Sequence, residues 1–134
     1  MDAWTSRDQT VAQAADLIGI TRNHLDQIVK TIGPMADLVS GKHGHRRYFS
    51  RRDIAVLRIA YAMERFGTTW LFAIADAMEA VDAGVRGDQH LVVQCARSLP
   101  RAKRSIPDRD IERLQIDQPT LLVPAGRIVE ECRA

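Results

Sequence analysis

The sequence predicts a mainly α-helical domain with one small β-hairpin, followed by a short mixed α/β segment. Three observations carry this. Apolar residues recur at helical spacing in four stretches, near 11–18, 22–32, 51–66 and 70–82. A glycine-bearing basic stretch, Ser40-Gly41-Lys42-His43-Gly44, interrupts that period between the second and third of them. Beyond Gly87 the helical period gives way to short apolar runs.

With 134 residues the chain holds one domain, or a small domain with an appendage, and can bury a core without metals or disulfides. Its hydrophobic fraction of 46% and charged fraction of 27% are those of an ordinary globular protein, not of a disordered one. No apolar run approaches the roughly 20 residues of a membrane span. The start, with Asp2 and Asp8, lacks a basic-then-apolar signal. Cys95 and Cys132 are too few and too isolated for a disulfide framework or a four-ligand zinc site. The expectation is a cytoplasmic protein with no metal and no cofactor, away from membranes.

The net charge of +2 decides nothing, but its distribution does. Seven Lys or Arg fall between Lys42 and Arg65, against Asp53 and Glu64 alone. A second cluster, Arg97, Arg101, Lys103 and Arg104, contains no acid. Local basic patches on a near-neutral chain point to a polyanionic partner or to solvated faces.

Each element has a local reason. Thr10 is a candidate N-cap for a helix over Val11–Ile18, and Gly19 is its stop. Thr21 caps the next, which places Leu25, Ile28, Val29 and Ile32 on one side and Arg22, Asn23, Asp26, Gln27 and Lys30 on the other. Gly33-Pro34 ends it. Strands at 36–39 and 46–49 flank the glycine turn as a hairpin. Ser50 with Asp53 forms a capping box opening a helix at Arg51. Phe66-Gly67 closes that helix, and Thr68 or Thr69 caps the next, which ends near Gly84. In the tail, strands are expected at 90–95, 111–116 and 120–123, a basic loop over 99–107, and a last short helix from Pro124.

The first two helices have the spacing of a helix-turn-helix. A small residue, Ala15, stands four before Gly19, and Leu25 and Ile28 stand six and nine after it. Unrelated helical hairpins share this spacing, so the outward side chains matter more. Arg reads guanine and Asn or Gln reads adenine in the major groove, where a helix fits. Thr21, Arg22, Asn23, Asp26 and Gln27 are therefore candidate base contacts, with an ordinary solvated helix face as the plain alternative.

Gly44, Arg46, Tyr48, Phe49, Ser50, Asp53 and Ile54 follow the pattern Gly-x-Arg-x-Tyr-aromatic-Ser-x-x-Asp-aliphatic. With the preceding helices and the later Arg65-Phe66-Gly67, the chain resembles the MerR-like winged helix-turn-helix group over residues about 9–82. The resemblance implies a dimeric bacterial regulator whose wing holds the DNA backbone. Cations on a hairpin neutralise phosphates without sequence choice. Lys42, Arg46 and Arg47 are the leading phosphate contacts, followed by Lys30, His43, His45, Arg51 and Arg52. The chain departs from the group at Asp26-Gln27-Ile28, where an Arg-Tyr-Tyr-like run is common, and it lacks the long final helix that pairs subunits.

The expected organisation is an N-terminal extension over 1–8, a winged helix-turn-helix over 9–84, and a C-terminal dimerisation segment over 88–134. Leu91, Val93, Leu121 and Val123 are its candidate interface. The expected function is a homodimeric transcriptional regulator on a palindromic double-stranded operator, with recognition helices about 34 Å apart. Two alternatives stay open: an excisionase-like or architectural factor that bends DNA, and a protein-interaction adaptor using Trp70 and the tail. No phosphate-cradling loop, His-Glu-x-x-His or Gly-x-Ser-x-Gly is present, so an enzyme is not expected.

Overall fold

Strand Gln9–Thr10 (β1) runs straight into helix Val11–Ile18 (α1) because Thr10 serves both. Its hydroxyl accepts from the Gln13 N–H at 3.2 Å while its own N–H donates to Gln13 Oε1 at 2.9 Å. The two orphan donors of the helix start are thus satisfied reciprocally. The computed structural model describes residues 2–94, 102–114 and 120–134. Over these the protein is mainly helical with two small antiparallel sheets.

Gly19, at φ 89°, stops α1, and Ala15 O accepts from the N–H groups of both Gly19 and Ile20. This left-handed stop turns the chain into helix Arg22–Ile32 (α2), whose Thr21 hydroxyl accepts from His24 N–H at 3.0 Å. Leu25, Ile28 and Ile32 are buried as the periodicity predicts, while Val29 is half-buried.

The expected strand at 36–39 is instead a 3-10 helix, Gly33–Leu38. Pro34 opens it, and the buried residues Ala36 and Val39 are three apart, the period of a 3-10 turn and not the alternation of a strand. The hairpin therefore starts later. Gly41–His43 (β2) pairs with Arg46–Phe49 (β3) across the two-residue turn Gly44-His45, in the register Gly41 to Tyr48, Lys42 to Arg47 and His43 to Arg46. On its other edge β3 pairs with β1, Thr10 facing Tyr48, so the order in this sheet is β1-β3-β2.

Helix Arg51–Arg65 (α3) opens on the predicted capping box, Ser50 accepting from Asp53 N–H at 3.0 Å and Asp53 Oδ2 accepting from Ser50 N–H at 2.9 Å. Helix Trp70–Asp82 (α4) returns antiparallel against it. The Asp82 carboxylate takes the Arg52 guanidinium at 3.1 and 2.8 Å, pinning the end of α4 to the start of α3. Thr69 occupies the N-cap position of α4 without a side-chain cap hydrogen bond.

In the tail, Gln89–Gln94 (β4) is central between Ala102–Pro107 (β5) and Thr120–Val123 (β6). The expected basic loop over 99–107 is thus a strand wherever it is described, and residues 99–101 lie outside the described residues. Backbone pairing with β4 along all of β5 overrides its poor apolar pattern, and Arg104 and Ser105 point to solvent as edge-strand residues can. The expected strand over 111–116 is also corrected. Asp108–Arg113 is a 3-10 helix with Asp108 and Asp110 in its first turn, and Ile116, like Cys95, lies outside the described residues. Helix Ala125–Arg133 (α5) follows Pro124 and packs on α3.

The four candidate dimer contacts face inward. Leu91 and Val93 are 3% exposed and Val123 is 1% exposed, all within the core that also contains Phe49, Ile54, Leu57, Ile59 and Met63. Leu121 is half-buried against the same core. The reason is that α3 and α5 lie across this sheet, and its apolar face is what they bury.

Ser50→Ala should cost about 1 kcal/mol as a lost cap. Asp53→Asn, which also leaves two arginines without their carboxylate, should cost about 2–3 kcal/mol; urea midpoints at unchanged slope would show both. Burial pushes the Cys132 thiol above its ordinary pKa of 9.0. The folded state therefore holds this proton more tightly than the unfolded chain, so the contribution is complete below pH 9.0 and is lost as pH rises beyond it. Cys132→Ala should flatten the alkaline fall of thermal stability in a pH series.

Candidate nucleic-acid interface

The outer face of α2 and the hairpin β2–β3 are brought side by side by the β1–β3 pairing, which ties the start of α1 to the hairpin. Between them lies an open groove of about 900 Å³. Arg22, Asp26, Val29, Lys30 and Gly33 line it from α2 and its end, and Lys42, His45, Arg46, Arg47 and Tyr48 from the hairpin. Thr10, Val11 and Ala12 at the start of α1 complete the wall. Five Lys or Arg thus face one carboxylate, that of Asp26.

The hairpin concentrates charge against its own interest. Lys42 stands directly opposite Arg47, and His43 opposite Arg46. Like charges in the positions of Lys42 and Arg47 destabilise a strand pair unless an anion lies nearby. Arg47 has internal help: its Nη1 donates to Ser40 Oγ at 2.7 Å and to Asp37 Oδ1 at 3.3 Å. Asp37 is 79% exposed, so the Ser40 hydrogen bond is the firmer tether. Ser40 in turn donates to the Ala36 carbonyl, which fastens the arginine to the 3-10 turn. Lys42, His45 and Arg46 are exposed.

Sequence-predicted residues divide accordingly. Arg22, Asp26, Lys30, Lys42, His45, Arg46 and Arg47 converge on the groove. Thr21, Asn23, Gln27 and His43 are exposed but lie off its wall, Thr21 being the cap of α2. Arg51 and Arg52 are engaged elsewhere. Arg51 Nη1 donates to the carbonyls of Cys132 at 3.0 Å and Ala134 at 2.8 Å, the negative end of α5. That contact explains a cation at the positive start of α3 without an external phosphate. Arg52 holds Asp82 bidentately and also donates to Leu38 O at 3.0 Å. Hydrogen bonding and the charge of Asp82, with Asp53 alongside, hold its guanidinium more firmly protonated than usual.

Sequence reasoning missed Thr10, Val11, Ala12, Val29 and Gly33 as wall residues. The Thr10 cap was visible, but its pairing with Tyr48 spans the whole helix pair and has no local signature. Tyr48 faces the groove side because Phe49, its neighbour on the strand, is fully buried, and strand side chains alternate. Behind the groove, His24 meets Tyr61 edge-to-face at 5.3 Å, joining α2 to α3.

Among the described residues no cluster of three His, Cys, Asp or Glu is placed to hold a metal ion, and no helix is long and apolar enough to cross a membrane. Trp70 is half-buried against the core, whereas Phe66, Leu71 and Phe72 near it are exposed. No protein-family model matches the chain, and no curated protein compared with it matches either.

Proposed function

We propose that the chain is a sequence-specific double-stranded-DNA-binding transcriptional regulator of winged helix-turn-helix architecture, similar to the MerR-like group. In this reading α2 enters the major groove and the hairpin is the wing on the phosphate backbone. The observation that carries it is the groove wall, which sets the outward side chains of α2 beside the exposed cations of the hairpin. A helix and a basic ribbon so placed suit a duplex, whose major groove admits a helix between phosphate backbones. Arg22 at the helix start reads a base, with Asp26 orienting it or accepting from cytosine. Lys30, Lys42 and Arg46 hold phosphates, and Arg47, tethered by Ser40, fixes the wing as much as it binds.

Homodimerisation is part of this proposal, through a strand edge and not through Leu91, Val93 and Val123. Those three are spent on the protomer core, so a second copy has the backbone edge of β6 and the exposed Leu122 to pair with. The same observation favours a second reading, an architectural or excisionase-like factor that bends DNA as a monomer. Native mass measurement with circular-permutation gel shifts separates the two. A dimer on a two-fold site supports the regulator, and a monomer with a strong bend supports the architectural factor.

On a target selected from random duplexes, Arg22→Ala should cost about 1–3 kcal/mol and relax the choice at one base pair. Lys42→Ala should weaken all sequences alike and lower the salt slope of binding by about one. Fluorescence anisotropy across a salt series checks both. Equal weakening by the two variants on every sequence would remove α2 as the reading element.

A further inference from the structure

Arg7 stands outside the groove wall, yet it touches the bases of two elements that shape it. Its Nε donates to Asp53 Oδ2 at 2.9 Å, the same oxygen that accepts the Ser50 N–H. Asp53 is 1% exposed, so this contact sits at the shielded junction where the hairpin ends and α3 begins. The same side chain lies against the other strand of the hairpin. A methyl group added at Gly41 would stand 3.0 Å from Arg7 Cδ and 3.2 Å from its Nη1. Glycine at the first position of β2 leaves the room that the arginine arm occupies.

The segment is fastened on both sides of Arg7. Trp4 O accepts from Arg52 N–H at 2.9 Å, and the Arg133 guanidinium lies 4.0 Å from the centre of the Trp4 ring. Two residues after Arg7, β1 begins its pairing with β3, and Thr10 reaches the groove. Arg7 is thus a strut between α3 and β2, the first strand of the hairpin. Trp4 and Arg7, from the expected N-terminal extension, are fastened to the domain beside the candidate interface.

We propose that Arg7 is a positioning residue for DNA binding: it holds the hairpin at the angle that sets Lys42 and Arg46 beside Arg22 and Lys30, and so fixes how many phosphates are gripped together. This rests on the DNA-binding reading above. Without the strut, the like-charged hairpin swings away from α2, relieving repulsion and surrendering phosphate contacts.

The experiment compares the full chain with its Arg7→Ala and Gly41→Ala variants. The second keeps every charge and presses a methyl group against the arginine arm, which must give by a few tenths of an ångström. Two readouts are taken: amide hydrogen exchange over residues 41–48, and anisotropy titrations of a fluorescent duplex across a salt series. In Arg7→Ala hairpin amides should exchange about tenfold faster, and in Gly41→Ala by a smaller factor, while α2 amides keep their protection. The salt slope should fall by about one, with base preference retained. Partial unfolding alone lowers the active fraction and leaves the slope untouched, so the slope isolates positioning. Unchanged hairpin exchange or an unchanged slope in both variants would overturn the proposal. Absence of duplex binding by the unaltered chain would overturn the DNA-binding reading instead, and hairpin exchange would still decide whether Arg7 is the strut.

Discussion

The carboxylate of Asp53 is 1% exposed and carries a capping N–H and Arg7 on one oxygen, with Arg52 3.4 Å from the other. A buried charge is tolerated only while its partners stay in place, so this group dictates position over a wide radius. Through Ser50 it starts α3 where the hairpin ends. Through Arg7 it reaches β2 and the strand that leads into α1. Through Arg52 it is linked to Asp82 at the end of α4 and to the carbonyl of Leu38. Remove it, and the elements that frame the groove lose their common reference.

Around that point the protein uses arginine in two ways that one-dimensional charge does not distinguish. Arg51 and Arg52 close internal gaps, one on the carbonyl end of α5 and the other between two helices and a turn. Arg46 and Lys42 are left exposed on a hairpin where Lys42 stands opposite Arg47. Arg47 stands between these roles, tethered by Ser40 yet lining the groove. The fold therefore leaves fewer cations uncompensated than the density of arginine suggests.

The tail shows the same economy. Its strands bring Leu91, Val93 and Val123 to the face of the core, and α5 covers them together with α3. A segment that could have been a separate association module is instead the second wall of one hydrophobic core. The proposed regulator and architectural readings diverge on whether two copies associate through the backbone edges and surfaces that remain.

Local chemistry made much of this legible in advance. Thr10, Thr21 and Ser50 announce helix starts because a side-chain oxygen beside unpaired N–H groups is a short-range interaction. Gly19 announces a stop, and the apolar stripe of α2 tells which face is left for a partner. Two kinds of feature were hidden. One was period: Ala36 and Val39 lie three apart, and in so short a run a 3-10 turn and a strand look alike. The other was distance along the chain: Thr10 against Tyr48, Arg7 against Asp53 and Gly41, Arg51 against the end of α5, and β5 along β4. The sequence by itself determined the helices, their caps and the inventory of basic residues, since these depend on neighbours a turn away. Only the tertiary structure decided which arginines are spent and which remain, because a charge is neutralised by whatever folds next to it, and that partner can lie anywhere in the chain.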